Sequence, residues 1–401
     1  MKPRISMSFK NGVIGAVTPL DTGCFGIVAN AVAVTDGFQL NKAYQLKSMR
    51  DVSAIKLTDT IDNHRLYKAI AEFYAEAGEG TELWIYGVAK TLKVSDFFTS
   101  VAGAATPVEN LLNSANGKIR GVFTVNATSA TVTVDDGMDT DVLVAAGKAQ
   151  TLFENYTATK YAPYFTILEG YAFDGDKVEL SALTTLAHNA VGIIIGDTEK
   201  RTGSTASKGA AVGVLAGRLA KYGAKVNAGK VRNGALTAPQ LYILDTPVEL
   251  FDCEALYDKG YITFTTHQSI AGYFVMDDPL ACTPSDDYHY LARRRVINEA
   301  FRHTYISLLN FILDEVPANN NGTIVATYAK TIESTVIREI VKQMASDLST
   351  DSNDPKDVGV KCFVDPEQNV VVNSKIDVVV SIRPYGYNRW IDVLIGFELE
   401  N

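Results

Sequence analysis

The sequence predicts an α/β chain, α+β overall: a body built on a helix-covered, mostly parallel sheet, followed by a C-terminal domain of two long helices and antiparallel strands. Through the first half, β-branched apolar runs alternate with segments of helical period, and such alternation implies crossover connections and parallel pairing. Beyond residue 288, two long stretches repeat apolar residues at helical spacing. The C-terminal stretches then alternate apolar and polar residues with period two.

Residues 1–20 are punctuated by Gly and Pro and alternate only weakly at Ile5, Met7 and Phe9. They read as an extended N-terminal arm, which needs a partner to pair with. The body covers 21–250 and opens on FGIVANAVAV (25–34), a buried strand. Leu66, Ile70, Phe73 and Ala77 repeat at helical spacing, Gly78 and Gly80 stop that helix, and LWIYGVA follows as a strand. The pattern recurs: IRGVFTVN (119–126) as a strand, the segment after Asp139 as a helix, YFTILEGYAF as a strand, the segment from Val178 as a helix, and AVGIIIGD (190–197) as a strand. TSATVTVDDG (128–137) breaks this rhythm and reads as a small hairpin excursion.

The C-terminal domain, 251–384, begins with a short helix around Cys253 to Tyr257 and the hairpin YITFTTHQSIAGYFVMD (261–277). Its first long helix carries Ile297, Phe301, Tyr305, Leu308 and Ile312 on one stripe and ends before Pro317; its second carries Val325, Ala329, Ile332, Val336, Ile340 and Met344. The two are expected to pack as a pair. After the polar loop STDSNDPKD (349–357), NSKIDVVVSIRP places Ile376, Val378, Val380 and Ile382 on one strand face. Residues 385–401 form a terminal strand arm in which Ile391, Val393, Ile395, Phe397 and Leu399 alternate. So apolar an edge invites pairing with other chains. It therefore sits inside its own sheet or serves pairing between copies.

The 401 residues include 47 % apolar and 9 % aromatic side chains, enough for substantial cores. With 37 Lys and Arg against 46 Asp and Glu, the net charge of −9 argues against a nucleic-acid binder, whose affinity comes from neutralised phosphates. No signal-peptide core and no run of membrane-spanning length appears, so no direct membrane insertion is expected. Cys24, Cys253, Cys282 and Cys362 stand far apart without a C-x-x-C pair and read as reduced thiols.

No catalytic, cofactor or metal residue is nominated. GDTEKRTGSTASKGAAVG (196–213) sits where a phosphate loop belongs, but Lys208 precedes Gly209, contrary to a Walker loop. The alternative function, a soluble α/β nucleotide- or phosphate-binding enzyme, would use the loop at 203–213. Histidines 64, 188, 267, 289 and 303 show no H-E-x-x-H and no cysteine cluster, and His188 reads as a helical residue before a strand. No G-x-S-x-G elbow is present. The remaining concentration of charge is YHYLARRRVINEAFRHTYISLLNFI, with Arg293, Arg294, Arg295 and Arg302. One reading is a solvated face with local pairs to Asp286, Asp287 and Glu299, each worth little. The sharper reading is a surface for acidic groups on another protein.

The order of an α/β body, the hairpin KGYITFTTH…GYFVMDDPLA, this arginine helix, the linker VPANNNGT, a second amphipathic helix, NSKIDVVVSIRP and a terminal strand resembles the C-terminal half of contractile tail sheath proteins of phages and phage-like injection systems. DTGCFGIVANAV and SKGAAVGVLAGRLAKYGAKVNAGKVRNGAL are similar to upstream parts of the same family, and no long inserted surface domain is evident. The resemblance implies a self-assembling subunit, stacked as rings around an inner tail tube and contracting to drive it through an envelope. Its partners would be copies of itself, the tube, and the baseplate and tail terminator proteins, with assembly in the bacterial cytoplasm. Neighbours would exchange terminal strands, placing Ile5, Met7, Phe9, Ile391, Val393, Ile395 and Phe397 at contacts between subunits. Arg293, Arg295 and Arg302 would face the tube or an adjacent subunit.

Overall fold

The computed structural model describes residues 21–202 and 208–395. They separate into two compact units, one reaching Arg302 and the other starting at His303. The expected break at 250/251 falls inside the first unit, which also takes in the hairpin and the start of the arginine helix.

The first unit is centred on six strands: β1 (Phe25–Ala31), β2 (Ala43–Leu46), β3 (Leu83–Ala89), β4 (Gly121–Val125), β5 (Phe165–Glu169) and β6 (Val191–Ile194). Their order is β2-β3-β1-β4-β5-β6. Only β2 runs antiparallel to its neighbour; all other pairs are parallel. Every residue of the central β1 is buried, as an apolar strand between two helical layers must be. The register sets Phe25 beside Phe123 and Phe165, with ring centroids 5.4 and 5.6 Å away at edge-to-face angles.

Helix α1 (His64–Ala77) buries the predicted stripe and ends at Gly78, whose φ of 84° favours glycine. Helix α2 (Pro107–Ser114) starts with a Thr106–Glu109 capping box and packs on β1 and β3. Helix α3 (Thr140–Lys160) starts where the Asp139 carboxylate accepts the Asp141 N–H, and it packs on β5 and β6. Helix α4 (Val212–Lys221) packs closely on α1. A Cβ at Gly213 would collide with the Ala69 carbonyl, and one at Gly217 would stand 2.6 Å from the Phe73 oxygen. Glycine at both positions lets the two helices approach.

The segment from Val178 is not a helix. The Asp176 carboxylate accepts the N–H groups of Val178 and Glu179 (2.8 and 3.0 Å), and Val178 is 77 % exposed. A carboxylate so bonded is the pattern of a helix cap, and the Leu180 N–H closes one turn on the Asp176 carbonyl at 3.2 Å. The Ser181 and Leu183 amides then donate to the carbonyls of Asp136 (3.3 Å) and Lys259 (2.8 Å), so the turn is not continued and only one 3₁₀ turn, Leu183–Thr185, follows. His188 lies on the two-residue strand Ala187–His188, paired with Ala281–Cys282. The hairpin excursion contracts to Val134–Asp135 with Met138–Asp139 around Asp136-Gly137, both at positive φ, the backbone a tight Asp-Gly hairpin turn requires. The later hairpin forms as expected from β7 (Phe264–His267) and β8 (Ile270–Val275). Helix α5 (Leu291–Leu308) crosses from the first unit into the second.

In the second unit, α6 (Ala326–Met344) buries Ala329, Ile332, Val336, Ile340 and Met344 of the predicted stripe, whose first member, Val325, is a half-buried N-cap residue. What meets that stripe is a β-ribbon rather than a second long helix: β9 (Val360–Val364) packs on α6 and pairs antiparallel with β10 (Val378–Ile382).

Candidate assembly site

Beyond β10 the described chain forms no further strand. Trp390 is 78 % exposed, Ile391 74 %, Val393 70 % and Ile395 88 %. So dense a run of bare apolar side chains is uncommon on the surface of a monomeric protein. Phe397 of this arm, and Ile5, Met7 and Phe9 of the N-terminal arm, lie outside the described residues.

The ribbon offers an edge. The Arg383 N–H donates to the Gly359 carbonyl at 2.8 Å, and Lys361 opposes Ser381 while Phe363 opposes Val379. Antiparallel pairs alternate between exchanging and not exchanging backbone bonds. The backbone groups of Val378, Val380 and Ile382 therefore point away from β9, and no described strand pairs with them. On the other edge, the Val364 N–H is taken by the Glu333 carboxylate at 3.0 Å. Phe363 and Val379 form an exposed apolar cross-strand pair on the ribbon face.

The arginine helix differs from its expectation. Arg294, Arg295 and Arg302 are buried, whereas Phe301 is 40 % exposed, Ile312 lies bare and Ile297 is half-buried. Arg295 Nη2 donates to the carbonyls of Leu219 (2.9 Å) and Tyr222 (3.1 Å), and its guanidinium lies 5.8 Å from the Phe25 ring centroid. Arg302 donates to the carbonyls of Pro163, Ile119 and Gly117. Burial and the neighbouring Arg120 push its guanidinium down to about 9, so it remains charged at neutral pH. Arg294 Nε donates to the Asn189 carbonyl at 2.9 Å and stacks over Tyr288. The buried guanidinium groups thus satisfy backbone carbonyls of their own body, which corrects the reading of Arg295 and Arg302 as outward contact residues. Arg293 is half-buried over Tyr290. Glu299 pairs with Arg120 at 2.7 Å.

At the carboxyl end of the parallel strands, where open α/β sheets take ligands, the chain places its own ions. Arg65 bonds Glu169 on β5, and its Nη1 is 3.0 Å from Asp197 after β6. Lys68 Nζ reaches Asp197 at 2.5 Å and Glu72 at 2.6 Å. The Glu169 carboxylate also accepts the N–H groups of Asn126 (2.6 Å) and Ala210 (3.1 Å). Burial raises its pKa, opposed by the Arg65 charge and these amides. The Gly-rich loop thus directs its Ala210 amide at an internal carboxylate; residues 203–207 lie outside the description. Among the described residues, no group of His, Cys, Asp and Glu is placed to hold a metal ion, and no helix is long and apolar enough to cross a membrane.

Family models for the N-terminal and C-terminal domains of DUF2586 match residues 3–279 and 287–401. The chain belongs to the DUF2586 family. No curated protein matches it by sequence. Among solved structures, it is similar to the helical sheath of the anti-feeding prophage in the contracted state, at 12 % identity and TM-score 0.62, over 99 % of each chain. It is similar to a chain of the six-fold symmetrised baseplate of that prophage, at 12 % and 0.61, over 100 % of this chain and 99 % of the other. It also resembles the contracted sheath complex of PVC, an extracellular contractile injection system, at 13 % and 0.59, over 99 % and 98 %. This DUF2586 chain therefore has the fold of contractile-injection-system sheath proteins along its whole length.

Proposed function

We propose that this DUF2586 chain is a structural subunit of a contractile sheath. It assembles into stacked rings around an inner tube, and contraction of the array drives that tube through an envelope. The observation that carries the reading is the described part of the C-terminal arm, 385–395: its apolar side chains at 390–395 are exposed and, among the described residues, neither it nor the outer edge of β10 has a strand partner. An arm from one copy laid along β10 of the next would supply main-chain hydrogen bonds and bury alternate side chains. Such links hold neighbours together while the bodies rotate between two packings, so the work comes from metastable packing rather than bond chemistry. The N-terminal arm, with Ile5, Met7 and Phe9, would act in the same way. The partners are further copies of the chain, the inner tube, the baseplate and the terminator that closes the tail.

The full chain is expected to form striated tubes by negative-stain microscopy at high concentration, and the chain lacking residues 385–401 to remain a folded monomer. Unaltered tubes from the shortened chain would remove the arm from the mechanism.

A further inference from the structure

Charge is unevenly placed on the first unit. Between Glu199 and Asp245 the sequence holds no acidic residue, and after α4 it exposes Lys221, Lys230 and Arg232. Among the described residues, the acidic partner of Lys221 is Glu76 at 4.0 Å, and that buried carboxylate already pairs with Arg218 at 3.0 Å. Neither Lys230 nor Arg232 forms an ion pair with a described residue. Val231 between them is 38 % exposed.

An opposite surface lies elsewhere on the same unit. The Asp174 N–H donates to the Gly137 carbonyl (3.0 Å) and the Ser181 N–H to that of Asp136 (3.3 Å), which draws two turns together. Asp135, Asp136, Asp174, Asp176 and Glu179 are all exposed there. The nearby lysines are already engaged: Lys177 pairs with Asp252, and Lys259 donates to the carbonyls of Val178 and Leu180. Val178, between Asp176 and Glu179 in sequence, is 77 % exposed, and Leu250, two residues before the Asp252 that pairs with Lys177, is 76 % exposed.

We infer that these two surfaces meet between copies: the basic segment 221–232 of one chain docks on the acidic surface around Asp135 and Glu179 of another. The inference rests on the reading of the chain as a self-assembling subunit. A second copy fits because both halves of the complementarity sit on one chain, each with exposed apolar side chains among its charges. The two surfaces differ, so the contact is head to tail and repeats from copy to copy. It joins bodies directly and adds to the links made by the terminal arms, being too weak to hold copies together alone. Charges so exposed steer association and fix its register, and salt weakens them.

Zero-length carbodiimide coupling of lysine to carboxylate tests this on the full chain, using a mixture of isotope-labelled and unlabelled copies read by mass spectrometry. Links between copies are expected from Lys221 or Lys230 to the carboxylates at 135–136 and 174–179, fading as salt approaches about 1 M. Coupling of these lysines only within one copy, or only to other acidic segments such as 351–357, overturns the inference. Lys230→Glu with Arg232→Glu should raise the concentration needed for assembly about tenfold, as should Asp135→Lys with Glu179→Lys; the four changes together should return it to within about twofold. Absence of that rescue also overturns it. If the full chain forms tubes without these links, the docking contact alone fails. If the links form while removal of 385–401 leaves assembly intact, the arm reading alone fails.

Discussion

Arg295 on α5 donates from Nη2 to the Leu219 carbonyl at 2.9 Å, inside the last turn of α4. Its second acceptor, the Tyr222 carbonyl at 3.1 Å, lies just past that turn. A helix end leaves its final carbonyls without intrahelical partners and carries partial negative charge. A buried cation placed there satisfies both needs and fastens α5 to α4 within the first unit. The cluster that reads in sequence as a handle for other proteins is largely an internal brace.

Arg295→Ala is therefore expected to destabilise the folded chain by about 2–4 kcal/mol, because it leaves buried carbonyls unpaired. Arg295→Lys should recover only part of this, since an ammonium lacks the planar fork. Chemical denaturation of the unassembled protein measures both; a loss below about 0.5 kcal/mol for the alanine variant would contradict the brace.

Gly213→Val should lower stability by at least about 2 kcal/mol, as overpacking at a helix contact does. Its Cβ would run into the Ala69 carbonyl, which cannot move without displacing α1. Val214→Ala on the same helix is the control for loss of buried volume alone, and thermal unfolding should place the glycine variant lower.

His64 lies 2.6 Å from Asp59 and 2.8 Å from Glu199. Burial disfavours its charged ring, but the hydrogen bonds and charges of Glu199 and Asp59 outweigh that, so its pKa is raised. A raised histidine stabilises fully below its ordinary value near 6.5, and that stabilisation is lost as pH rises through the folded-state value. The stability gap between wild type and His64→Gln should thus be larger at about pH 5.5 than at about pH 9. A gap that widens with rising pH would contradict the assignment.

All four cysteines are free. Burial pushes Cys24 and Cys282 up to about 12, and Cys253 and Cys362 up to about 11. At pH 8 only about one thiol in a thousand or fewer would be ionised. Iodoacetamide should label the native protein slowly at every site and the unfolded protein at all four, as counted by intact mass.

Much of the body was legible because burial there is written in periodicity. Leu66, Ile70, Phe73 and Ala77 repeat on one face of α1, and the apolar run at 25–31 can only be a strand buried on both faces. The stripe of α6 reads equally well, though not its partner: a helical stripe says that something apolar covers it, and here a ribbon does. On α5 the same logic fails, since it turns Phe301 inward and the arginines outward. What reverses the helix is a set of carbonyls at 117, 119, 163, 219 and 222, distant in sequence and visible only once the chain is folded. The segment from Val178 departs from its helical pattern because of distant partners: Asp176 caps a single turn, but the Ser181 and Leu183 amides that would continue it donate to the carbonyls of Asp136 and Lys259.

The central claim is that the C-terminal arm completes a sheet in a neighbouring copy. Cryo-electron microscopy of tubes formed by the full chain tests it most directly. The account predicts density for residues 385–401 of one subunit running along Val378–Ile382 of the next, with Ile391, Val393 and Ile395 covered. An arm folded back onto its own β10, in tubes held together by other contacts, would contradict it.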